Sequence, residues 1–119
     1  MSENNQGHND QAVYKILTQT EWLKAREEGA FSGSLIDLRD GFIHLSTRDQ
    51  VSETLRLHFS GQTELLLVEF GAKEIDLLIW EPSRGGQLFP HVYGKLDPAK
   101  ARREWSIRAN EEGIPMAPW

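Results

Sequence analysis

Hydrophobic and polar positions fall into short blocks with different periods. AVYKIL (residues 12–17) is rich in strand formers and predicts an opening strand. TEWLKAREEG (20–29) holds helix formers and a terminal glycine, with Thr18 or Thr20 placed to cap it. FSGSLIDLRDG (31–41) reads as a loop leading to a short apolar piece, GFIHLS (41–46). Ser46 or Thr47 then caps a second helix, TRDQVSETLRLHFSG (47–61). There Val51, Leu55 and Phe59 recur at a spacing of four and form one buried stripe, which Gly61 closes.

The second half reads as strands. TELLLVEFG (63–71) carries a nearly continuous apolar run, the pattern of a central strand covered on both faces. Residues 75–80 and LFPHVYG (88–94) are two further short runs. ARREWSIRA (101–109) alternates imperfectly, and both strand and helix fit it. Gly113 and Pro115 punctuate the end of the chain, where Trp119 is placed to dock back. Helices early and strands late give an α+β class.

Length and composition narrow this picture. At 119 residues, 39% of them hydrophobic, the chain is expected to form one domain over 12–119. It follows a polar stretch (1–11) read as a disordered leader without signal-peptide character. A net charge of −5 argues against bulk nucleic-acid binding and against anionic membranes. No apolar run approaches the roughly 18 residues of a membrane span, and there is no cysteine to build a disulfide or thiolate metal site. A cytoplasmic location is the default expectation.

Two segments concentrate chemistry. In GFIHLST, Ile43 and Leu45 flank His44, so in a strand the imidazole faces away from both. Ser46 shares its side, and Thr47 stands at a helix start, where free N–H groups favour an anion. The plain alternative makes Ser46 a cap and His44 the partner of a nearby carbonyl. In WEPSRGGQLFPHVYG (80–94), Pro82 and Pro90 restrain the chain on either side of Arg84, Gly85 and Gly86. That segment supplies a permanent cation, backbone open to close approach, and rings for stacking at Trp80 and Tyr93. His91 and Tyr93 project to one face, and Glu81 is the nearest acid. The alternative here is a rigid hairpin, with Trp80, Phe89 and Tyr93 in the core and Glu81 paired to Arg84 across a turn. His44 and His91 lack a third ligand of convincing spacing, so no metal site is expected.

The segments DGFIHLSTRDQVSETLRLHFSGQTELLLVEF and LIWEPSRGGQLFPHVYGKL resemble the DUF952 family, small and mainly bacterial proteins of unknown function. The resemblance runs from about Val13 to Leu96 and continues less distinctly towards Ile107. It implies an ADP-ribosyltransferase-like fold, a curved, split α+β sheet with a cleft between its halves. Transferases of that fold bind NAD with a His or Arg on an early strand, aromatics around the nicotinamide, and often a Glu on a late strand. In this chain Tyr14, Lys15 and Thr18 occupy the early strand, and His91 and Tyr93 the late one.

The expected function is a cleft for a small molecule or nucleotide phosphate of the NAD or ADP-ribose kind. Its catalytic candidates are His44, His91 and Glu81. Its ligand-binding candidates are Ser46, Thr47, Trp80, Arg84, Gly85, Gly86 and Tyr93. NAD is left open as a cofactor, as is turnover of an ADP-ribosyl- or 2′-phosphotransferase type. The alternative is a noncatalytic protein- or peptide-binding module using the same aromatic and arginine surface. Oligomeric state is not legible.

Overall fold

Two larger antiparallel sheets part at a single residue, and a separate two-stranded hairpin follows them. The structure, a computed structural model, describes residues 11–119. Apart from Gln11, the leader expected over 1–11 lies outside the described residues. Strand β1 (Ala12–Thr18) pairs along its length with β4 (Leu65–Gly71), from Ala12↔Gly71 to Thr18↔Leu65. On its other edge β1 meets β3 (Ser46–Thr47) through Val13↔Thr47 and Tyr14↔Ser46. From Lys15 to Thr18 that edge carries no further strand among the described residues. β7 (Arg103–Ser106) flanks β4, giving the order β3-β1-β4-β7. The charged tail segment thus resolves to strand, continued by a small hairpin of β8 (Arg108–Ala109) with β9 (Pro115–Met116).

The second sheet is β2 (Ile43–His44), β6 (Leu88–Val92) and β5 (Leu78–Pro82), in the order β2-β6-β5. Leu45 separates β2 from β3, and its N–H donates to the Pro90 carbonyl at 3.0 Å. The chain therefore crosses from one sheet to the other within GFIHLST.

Both faces of the first sheet are covered, as the apolar run in β4 requires. On one face Val13, Leu17, Val68 and Phe70 join Ile43, Leu45 and Val92, and helix α1 (Gln19–Glu28) adds Trp22 and Ala25. On the other, Tyr14, Ile16, Leu65 and Leu67 pack against Val51 and Leu55 of helix α3 (Val51–His58). Phe59 and Trp105 complete this second cluster as half-buried residues, and the Trp119 ring docks on Tyr14 with centroids 5.1 Å apart.

Local signals set the helix boundaries. Thr18 and Glu21 form a reciprocal cap at the start of α1, and Gly29 ends it at φ 80°, a left-handed conformation that glycine adopts without a Cβ clash. The segment expected as a loop contains a helix, α2 (Leu35–Asp40), which is a correction to the sequence reading. Its pattern hides it, because its one buried residue is Asp37. The helix after GFIHLST also begins later than expected. Thr47 caps a single 3₁₀ turn over Arg48–Gln50, and α3 ends at His58, with Phe59 rather than Gly61 as its C-cap.

Candidate functional site

The β2–β6 ladder places His44 opposite His91 and Ile43 opposite Val92. Strand alternation sends Ile43 and Val92 into the core, so both imidazoles turn the other way. Their ring centroids lie 5.4 Å apart, nearly edge-on at 77°. Phe42 stacks on His91 at 4.1 Å and also touches His44, at 4.6 Å. Each imidazole has its own carboxylate. His44 Nε2 lies 2.8 Å from Asp40 Oδ2, and His91 Nδ1 lies 2.7 Å from Glu81 Oε1. Tyr93 donates its hydroxyl to the same Glu81 oxygen at 2.7 Å.

The carboxylates respond to these donors. The hydrogen bond from His91, and then that from Tyr93, holds the Glu81 carboxyl below its usual range. Asp40 is lowered by the Arg39 guanidinium first and by His44 second. Tyr93 moves upwards, chiefly because its hydroxyl already donates to Glu81. An ionised carboxylate only accepts, so Glu81 takes the Nδ1–H of His91 and Asp40 the Nε2–H of His44. In the neutral rings this leaves His91 Nε2 and His44 Nδ1 as acceptors.

Beneath His44 is a buried ion pair. Lys15 Nζ donates to Asp37 Oδ2 at 2.8 Å and to the His44 carbonyl at 3.0 Å. Asp37 Oδ1 accepts the His44 N–H at 3.1 Å, and Oδ2 also accepts the Ser34 N–H at 2.9 Å. Both backbone polar groups of His44 are therefore held by one Lys–Asp pair, whose side chains are 6% and 1% exposed. Burial lowers the Lys15 pKa and outweighs the upward pull of Asp37.

Arg84 approaches from the loop between β5 and β6. Its guanidinium lies 4.8 Å over the Phe89 ring and donates to Thr54 Oγ1 at 3.2 Å. Glu53 is at 4.0 Å, the outer limit of an ion pair, and Ser46 Oγ reaches Thr54 at 3.4 Å. The pairing of Arg84 with Glu81 that the hairpin alternative offered across the turn is replaced by these contacts. Glu81 belongs to His91 and Tyr93.

These groups meet at a cleft of about 610 Å³ that runs along β1. His44, Ser46, Arg84 and His91, from the two sequence segments, line it. The other candidates lie elsewhere. Glu81 and Tyr93 stand behind His91, Thr47 caps the 3₁₀ turn, and Gly85 and Gly86 form the turn after Arg84, outside the lining. Trp80 alternates with Glu81 and packs, half-buried, against the core. Asp37, Asp40, Phe42 and Thr54 were not among the sequence candidates, and Lys15 was placed on the early strand without a partner. A lone lysine inside AVYKIL and a lone aspartate inside LIDL were the available signals, since an inward charge requires a partner.

Residues 16–103 match the model of a family described as protein of unknown function, DUF952. The chain belongs to that family. The crystal structure of protein CC0527 from Caulobacter crescentus is 42% identical, with a TM-score of 0.86, over 88% of this chain and 93% of that one. A solution NMR structure of the same protein is 43% identical, with a TM-score of 0.78, over 87% and 90% of the two chains. Both are structures of one structural-genomics target with no assigned function. No curated protein matches the chain. Among the described residues, no helix is long and apolar enough to cross a membrane, and no group of three or more His, Cys, Asp or Glu is arranged to hold a metal ion.

Proposed function

We propose that the cleft binds a small phosphate-bearing molecule of the nucleotide kind, with NAD or ADP-ribose as the model ligands. One observation carries this reading: two carboxylate-backed imidazoles and a guanidinium, from segments remote in sequence, line a single cleft. Its volume of about 610 Å³ is in the range of small-molecule sites. Lys15 is taken up by Asp37, and Arg39 pairs with Asp40. Arg84, with a hydroxyl partner and only a distant carboxylate, is therefore the cation for the phosphate. Ser46 and Thr54 add hydroxyls beside it.

The imidazoles supply acceptor nitrogens for proton transfer, with Glu81 orienting His91 and Asp40 orienting His44. A 2′-phosphotransfer of the type that relies on His and Arg fits these residues better than a transfer built on a late-strand glutamate. The ADP-ribosyltransferase-like fold belongs to this proposal too, and the cleft beside the parting of the two sheets supports it. A protein-binding surface on the same aromatics has less support, because Phe89 is buried under Arg84 and Trp80 packs on the core.

Amide chemical-shift titration with NAD, ADP-ribose and nucleotide 2′-phosphates tests the reading. Shifts are expected around His44, Thr54 and Arg84. Unmoved amides there at millimolar ligand would reject it.

A further inference from the structure

Helix α2 is turned inside out. Its buried residue is Asp37, at 1% exposure, while Leu35, Ile36 and Leu38 are 87%, 48% and 61% exposed. The helix is anchored by charge: Asp37 holds Lys15, the Ser34 N–H and the His44 N–H. Its aliphatic side chains are thus left out of the core that secures the rest of the fold. Single exposed leucines are ordinary on protein surfaces. Three on one six-residue helix form a patch, and two of them, Leu35 and Ile36, line the cleft.

That cleft has unlike walls. Arg84 and Thr54 offer a cation and a hydroxyl, and α2 offers uncovered hydrocarbon. A purely polar ligand would leave Leu35 and Ile36 in water, and a purely apolar one would strip solvent from Arg84 without replacing it. We infer that the ligand is amphipathic, an anionic phosphate head joined to an alkyl or acyl group that lies on Leu35 and Ile36. This rests on the phosphate reading of the cleft and adds the apolar half of the ligand. The occupant is a dissolved monomer and not a bilayer surface. The patch continues into a concave cleft, and a net charge of −5 opposes approach to anionic lipid.

Calorimetric titration of the full chain with methyl, butyl and octyl phosphate, each below its micelle concentration, tests this. Affinity should rise by roughly tenfold or more from methyl to octyl phosphate, under a ceiling of about fourfold per methylene for complete burial. The double variant Leu35→Ser/Ile36→Ser alters exposed or half-exposed positions and should keep methyl phosphate affinity while losing the chain-length gain. Equal affinity along the series in the unaltered protein overturns the inference and leaves the phosphate site standing. A gain that survives in the double variant, or binding to phosphatidic acid vesicles without binding to monomeric octyl phosphate, also overturns it. Silence towards every phosphate, methyl phosphate included, rejects the phosphate site itself.

Discussion

His44 and His91 face each other across one ladder, yet each ring is tethered to a different carboxylate, Asp40 for the first and Glu81 for the second. The two tethers come from different parts of the chain. Asp40 ends α2, and Glu81 lies on β5, one strand beyond His91. The pair is therefore oriented by two independent supports, and each can be removed alone.

Glu81 gives a pH signature. Its carboxyl is held below the ordinary value of 4.5 by His91 and then Tyr93, so it favours the folded state above that value. The benefit is lost as pH falls through the lower folded value. Glu81→Gln should be less stable than the unaltered protein at neutral pH, and the gap should shrink as the medium is acidified below about 4.5. Urea unfolding at a series of pH values measures it. A gap that stays constant into acid would show that the Glu81 charge is not its source.

Lys15 should behave as half of a buried pair. Lys15→Met strands the Asp37 carboxylate in the core with two backbone donors, at an expected cost of about 3–5 kcal/mol. Lys15→Met combined with Asp37→Asn should recover part of that loss, because the buried charge is gone while the amide oxygen still accepts a backbone N–H. Equilibrium denaturation of the single and double variants decides this, and the His44 amide shift reports whether its peptide has moved.

Arg84 and Trp80 separate ligand contact from packing. Arg84→Ala should weaken phosphate binding roughly tenfold or more, the equivalent of one hydrogen bond to a charged group at about 1.5–3 kcal/mol. Trp80→Phe should leave that affinity unchanged while lowering stability, since the indole packs on the core. Titration and denaturation of both variants give the two readouts.

Trp119 is a structural closure. Its ring meets Tyr14 at 5.1 Å and Trp105 at 5.6 Å, with the Arg48 guanidinium 4.0 Å above it. Trp119→Ala should cost about 1–3 kcal/mol, the sum of aromatic and cation–π contributions at a half-exposed site. The urea midpoint should fall with little change in slope.

The sequence exposed some of this and concealed the rest for physical reasons. β4 was legible because consecutive apolar residues 65–68 require cover on both faces, and the two side-chain clusters on either side of it supply that cover, while β1 and β7 pair with its edges. The opposed placement of Ile43 and His44 followed from strand alternation alone. α2 was not legible, because its inward residue is an aspartate and a search for an apolar stripe passes over it. The hairpin alternative paired Glu81 with Arg84 for a related reason. Proximity in sequence favoured Arg84, while the pleat of β5 and β6 delivers Glu81 to His91 and Tyr93. Trp80 looked like a ligand platform by residue type, but its parity with Leu78 turns it towards the interior.

The pairing of β3 with β1 ends at Tyr14. Were that seam zipped a few rungs further, backbone would fill the hollow where Lys15, Ile16 and His44 now meet. The opening is thus owed to an interruption in pairing. Relatives that lengthen or shorten the stretch between β2 and α3 should differ in how wide their mouths stand, whatever side chains they carry inside.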